Sequence, residues 1–224
     1  MTEKQIKKIP EITTPLRNSI IEMPDIIRKA SGIVIYGKRI KSIVYSLDVS
    51  LLANTDADAV LCVYPFTPNT QILSAVSLVA KAPILVGVGG GLTQGERSAR
   101  LASHAEENNA TAIVLNGPVT VDTTKMVREY VDIPVIYTVI DKTRDLQPYI
   151  DAGVNIFNVS GGKKTVELVK WVRKQYPDFP IIASGGKTDE SIEATIDAGA
   201  NAITYTAYGM MEGYFHHKME LYRS

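Results

Sequence analysis

The tetrapeptide Ser-Gly-Gly-Lys stands twice in the chain, at residues 160–163 and 184–187. Glycine pairs carry no side chain over the backbone, so an anion can approach their amides, and a following lysine supplies a point charge. Gly161 with Gly162, and Gly185 with Gly186, are therefore candidate phosphate contacts, with Ser160 and Ser184 beside them. A third glycine run, GVGGGLTQG, adds Gly89 and Gly90. Tyr64, Asn116, Thr138 and Asn158 are uncharged polar residues of the kind that orient a hydroxyl or an enolate oxygen. Asp48 and Asp141 are the carboxylates placed to act as base and acid. Asp48 is the stronger candidate, because Asp141 runs into KTRD and reads as a cap.

Other chemistries fail on residue type or spacing. No nucleophile elbow is present, and GVGGGL departs from the dinucleotide fingerprint. A Schiff-base aldolase needs a desolvated lysine, yet Lys163 and Lys187 both lie beyond their glycines. His104, His216 and His217 are expected at the surface, so no metal site and no cofactor is predicted.

The candidates acquire positions once the chain is divided into elements. Short β-branched apolar runs predict eight buried strands, at residues 42–48, 59–66, 84–91, 112–118, 135–141, 156–162, 181–186 and 202–209. Helical patterns lie between most of them. In TVELVKWVRKQY, Leu168, Val169, Val172 and Tyr176 share one face, opposite Glu167, Lys170 and Lys174. Strand followed by helix, repeated, implies parallel strands. A finer repeat of about 45 residues alternates two kinds of strand entry: TDADAV, NNATAI, DAGVNI and DAGANA against the proline entries KAPILV, VDIPVI and DFPIIA.

Eight such units predict a single-domain (β/α)8 TIM barrel. Residues 1–31 form an N-terminal extension whose helix caps the bottom of the barrel, GIVIYGKRI is a ribbon turning at Gly37, residues 42–209 hold the strand-helix units, and 210–224 form a C-terminal helix. Active sites of such barrels sit at the carboxyl ends of the strands, where all the candidates above fall.

Lys plus Arg and Asp plus Glu both number 24, so no field favours nucleic acid or an anionic membrane. No run approaches the roughly 20 apolar residues of a membrane span. Cys62 is the one cysteine and lies in an apolar run, which fits a core position in a reducing, cytoplasmic setting. A homo-oligomer stays open.

The segment PDFPIIASGGKTDESIEATIDAGANAITYTAYG resembles the closing quarter of the phosphate-binding TIM barrels, among them thiamin-phosphate synthase, thiazole synthase, ribulose-phosphate epimerase and N-acetylmannosamine-phosphate epimerase. The resemblance covers about the last third of the chain and implies that Gly185 and Gly186 grip a substrate phosphate. Where those families end the eighth strand in Gly-Ser or Gly-Thr, TYTAY stands here, so Thr206 takes that place. YGKRIKSIV, VYPFTP and FNVSGG resemble bacterial barrel proteins of this length that carry a generic hydrolase label. The expectation is a barrel enzyme for a small phosphorylated ligand, with isomerase, epimerase or lyase chemistry. The alternatives are a non-catalytic sensor of such a ligand and a hydrolase.

Overall fold

The computed structural model describes residues 10–14, 19–64 and 66–223. Eight strands close into one parallel barrel: β3 (Ser42–Tyr45), β4 (Ala59–Cys62), β5 (Ile84–Gly87), β6 (Ala110–Leu115), β7 (Val135–Val139), β8 (Ile156–Val159), β9 (Ile181–Ser184) and β10 (Ala202–Thr206), which returns to pair with β3. They are preceded by β1 (Ile33–Ile35) and β2 (Lys38–Ile40), an antiparallel hairpin. Between and after the barrel strands run α1 (Val49–Ala53), α2 (Thr70–Val79), α3 (Glu96–Glu107), α4 (Val121–Tyr130), α5 (Gln147–Asp151), α6 (Thr165–Gln175), α7 (Asp189–Asp197) and α8 (Tyr208–Arg223).

Alternation along each strand divides the core in two. Ile43, Leu85, Ile136, Ile156 and Ile182 point inward and fill the barrel. Their neighbours Val44, Val86, Val135, Phe157 and Ile181 point outward and meet the helices, among them α6 through Leu168, Val169 and Val172. Each such aliphatic side chain stabilises by about 1.5–3 kcal/mol when fully buried.

The alternating strand entries have a hydrogen-bonding cause. Proline has no N–H, so it starts a strand without leaving a donor unpaired, and its carbonyl still accepts. The Pro83, Pro134 and Pro180 carbonyls accept from Val60, Ile113 and Phe157, each in the preceding strand. The amide just after the proline is taken by the Asx side chain that opens the next strand: Val135 N–H donates to Asn155 Oδ1 and Ile181 N–H to Asn201 Oδ1, both at 2.9 Å. Asp58 Oδ2 does the same for Lys41 and Ser42. The repeat is thus a device for closing the lower rim.

The bottom of the barrel is closed by the hairpin. Ile35 and Ile40, exposed by 7% and 2%, belong to the interior cluster, with Ile33 against it. Tyr36 and Gly37 both take positive φ, the two-residue turn that matches strand twist. The expected capping helix is replaced, within the described residues, by a single 3-10 turn at Asp25–Lys29, whose Ile27 packs in the outer layer beside α7. Pro24 holds the preceding chain extended, and Ile21 bridges Thr55 there. Residues 15–18 of that expected helix lie outside the described residues.

Strands also end earlier than their apolar runs. β5 stops at Gly87 because Gly89 and Gly90, at φ +121 and +111, leave the extended region. β10 stops at Thr206, and Tyr208 already begins α8.

Candidate functional site

Continuing the inward ladder past the aliphatic layer brings polar side chains to the carboxyl mouth. Tyr45, Asn116, Thr138, Asn158, Thr204 and Thr206 line a cavity of about 280 Å³, with Ser160 and Ser184 on its wall and Leu61, Val63 and Val114 as its floor. Among the described residues no carboxylate, ammonium, guanidinium or imidazole lines it, so the polar groups it offers are neutral hydroxyls and amides.

Part of that polar set is satisfied internally. Asn158 Nδ2 donates to Thr138 Oγ1 at 3.3 Å, and Ser184 Oγ to Ser160 Oγ at 3.1 Å. Asn158 Oδ1 and Thr204 Oγ1 have no partner, although their residues are only 6% and 7% exposed. Leaving a buried polar atom unpaired costs about 1–3 kcal/mol. Both atoms lie in the one cavity, where whatever occupies it can complete their bonding.

A second lobe of about 340 Å³ opens between the ends of β4 and β5, sharing Val63 and Asn116 with the first. Gly87 stands at an inward position of β5, opposite Val114, and its lack of a side chain lets Val63 pack close; a Cβ there would sit 3.0 Å from Val63 Cγ2. Tyr64 lines this lobe with its ring, while its hydroxyl is committed to the Asn69 backbone, accepting from N–H at 2.7 Å. Burial raises the Tyr64 phenol above its ordinary pKa. Gly89 and Gly90 build the wall, and the Gly90 amide is not free. Gly90 N–H donates to Thr93 O, Gly89 O accepts from Asn116 N–H, and a Cβ on Gly90 would lie 2.6 Å from Asn116 backbone atoms.

The two Ser-Gly-Gly-Lys loops flank the cavity over β8 and β9. Gly161 N–H is spent on Thr165 Oγ1 and Gly185 N–H on Thr204 O. Gly185 is needed for packing as well, since its Cβ would lie 2.5 Å from Ile203 Cγ2. Gly162 and Gly186 are exposed, and their amides have no protein partner among the described residues. α7 does not present an open N-terminus: Thr188 and Ser191 form a reciprocal capping box, and Asp189 and Glu190 fill the first turn. Lys163 and Lys187 are exposed on the rim.

The carboxylates lie apart from this set. Asp48 caps α1, accepting from the Ser50 and Leu51 amides, and does not line either lobe. The Ser50 hydroxyl is the main cause that holds its pKa below the ordinary value. Asp141 is turned onto Thr143 in the same way. Tyr45 is a site residue that the strand-end reading missed, and Thr204 is a strand-end residue passed over there for Thr206. Counting on by two from the inward Ile43, and back by two from Thr206, finds their inward parity. His104 is half-buried on α3, and His216 and His217 are exposed on α8. Among the described residues no group of three or more His, Cys, Asp or Glu could hold a metal. No described helix is long and apolar enough to cross a membrane.

No family model matches the chain, and no curated protein matches it in sequence. Solved structures do match in three dimensions. Phosphonopyruvate hydrolase in complex with oxalate and Mg++ aligns with TM-score 0.62 and 13% identity over 84% of this chain and 83% of that one. A 2,3-dimethylmalate lyase of the PEP mutase/isocitrate lyase superfamily gives 0.61 and 13% over 88% and 84%. Phosphoenolpyruvate phosphomutase from Streptomyces platensis subsp. rosaceus gives 0.60 and 12% over 87% and 83%.

The chain is a TIM barrel. At these identities the likeness is one of fold, and the chemistry of this barrel has to be read from its own mouth. A magnesium ion such as the hydrolase complex holds takes hard oxygen donors, usually carboxylates. Among the described residues neither lobe of this barrel is lined by one.

Proposed function

We propose that the barrel is an enzyme that binds a small phosphorylated metabolite at its carboxyl mouth and performs isomerisation, epimerisation or lyase chemistry on it. The observation that carries this reading is the orphaned pair Asn158 Oδ1 and Thr204 Oγ1 at the base of an uncharged cavity. Asn158 Oδ1 is an acceptor, so the part of the ligand that reaches it carries an O–H or N–H. A phosphate belongs at the rim, where the Gly162 and Gly186 amides are bare and Lys163 and Lys187 add positive charge. Two of the fold neighbours are named for phosphono or phosphoenol substrates, which supports the reading.

Among the described residues Tyr45 is the one titratable side chain lining the cavity, so proton donation to a bound substrate falls to its phenol. Asn116 and Asn158 supply amide dipoles against a developing enolate oxygen, the type of preorganised stabilisation that dominates many enzymes. Asp48 is tied to its helix and keeps the structural role of a cap.

Metabolite retention by the purified protein, read by mass spectrometry, tests the reading together with crystals soaked in phosphate. A phosphorylated compound retained by the native protein and lost from Asn158→Leu is the expected result. An anion absent from residues 161–163 and 185–187 at high phosphate would overturn it. The absence of a carboxylate, lysine or histidine from the cavity favours one second reading, a non-catalytic sensor of the same ligand. Tyr45→Phe separates the two: an enzyme keeps binding and loses turnover, whereas a sensor has no turnover to lose.

A further inference from the structure

We propose that the substrate is bipartite, with a flat apolar arm seated in the lobe beneath the β4 and β5 loops. This rests on the reading above only in placing the polar head in the barrel cavity. The strand order puts β4 and β5 across the barrel from β8 and β9. A molecule anchored at the Ser160 and Ser184 side, and bonded to Asn158 and Thr204 in the middle, therefore points its far end into the second lobe.

That lobe suits an apolar group. Among the described residues no charged side chain lines it, and Phe66 and Leu92 face it while exposed by 74% and 108%. Scattered apolar residues on a surface need no explanation, but two on the wall of one cavity form a patch. The Tyr64 ring completes it, its hydroxyl being spent on Asn69. Gly87 lines the lobe at an inward strand position without a side chain, and Val63, which lines both lobes, packs close against it. The two lobes, of about 340 and 280 Å³, meet at Val63 and Asn116, so one ligand spans both. Together they fall within the size range of small-molecule sites.

The test uses indole as the probe of the arm and inorganic phosphate as the probe of the rim, each titrated alone into the full chain and read by methyl and amide NMR. Indole is expected to shift the Val63 and Leu92 methyl signals. Leu92→Glu is expected to weaken indole by about tenfold or more, since a charge then stands on the apolar wall, and Phe66→Ser is expected to weaken it in the same direction. Leu92 is fully exposed, so its replacement leaves the fold intact. Unmoved Val63 and Leu92 signals, or equal indole affinity in Leu92→Glu, overturn the proposal. Phosphate is read separately at the Gly162 and Gly186 amides. If phosphate fails there while indole behaves as expected, the phosphorylated-metabolite reading falls and the apolar lobe stands.

Discussion

Ser184 Oγ donates to Ser160 Oγ across 3.1 Å, joining the first residues of the two Ser-Gly-Gly-Lys copies at the ends of β9 and β8. The repeat is therefore one wall of one cavity, made twice by adjacent strands. Its members divide by role: the serines face the cavity, Gly161 and Gly185 satisfy the loop and the sheet, and Gly162, Gly186 and the lysines stand on the rim.

Asn158→Leu removes a buried amide whose oxygen is unpaired. Stability is expected to stay within about 1 kcal/mol of native or to rise, because the lost Thr138 bond is offset by relief of an unsatisfied acceptor. Urea denaturation measures this, and a loss of several kcal/mol would show that the acceptor is satisfied in solution.

Asp48→Ala deletes the N-cap of α1 and is expected to cost about 1 kcal/mol. Because the folded carboxyl titrates below its unfolded value of about 3.9, its contribution is present at neutral pH and is lost as pH falls through the folded pKa. The variant should therefore show a shallower fall of stability on the acid side, measured by denaturation at stepped pH between 5 and 2.

Gly90→Ala is expected to destabilise by at least about 3 kcal/mol or to prevent folding. It combines φ +111 with backbone atoms of Asn116 at 2.6 Å, neither of which can yield cheaply. Gly91→Ala, one residue on, meets nothing within 4 Å and should leave the melting temperature almost unchanged. The contrast between the pair, read by thermal melts, isolates the backbone approach from the general cost of losing a glycine.

Cys62 is buried, and burial pushes its thiol up to about 11. Labelling by a disulfide reagent at pH 8 should proceed only as fast as the chain opens, and completely in denaturant. Since the unfolded thiol ionises near 8.5, stability should fall as pH rises from there toward the folded value, and Cys62→Ala should remove that part of the slope. Fast stoichiometric labelling of the native protein would contradict the buried position.

What the sequence determined by itself was set by periodicity and by local chemistry. Short β-branched runs alternating with helical patterns specify eight parallel strands, because a strand buried on both faces must be apolar throughout and its crossover must be long. The proline and Asx entries repeat because the lower rim needs the same two hydrogen bonds at each pair of strands. Asn116, Thr138 and Asn158 were legible as cavity residues for a related reason: a polar residue two steps beyond an inward aliphatic can face only the mouth.

Only the tertiary structure decided which groups meet and which are spent. Asp48 looks like a base at a strand end, yet the amides two and three residues on claim its carboxylate. Tyr64 looks like a hydroxyl ligand, yet its oxygen is held by Asn69 and its ring becomes a wall. Among the described residues the hairpin closes the barrel, since Ile35 and Ile40 reach the interior while Pro24 keeps the chain before the 3-10 turn extended. Tyr45 enters the cavity only when the inward parity of β3 is known. Residue type and spacing state what a group can bond to; the closure of the barrel brings the competitors within reach and so settles which bond is made.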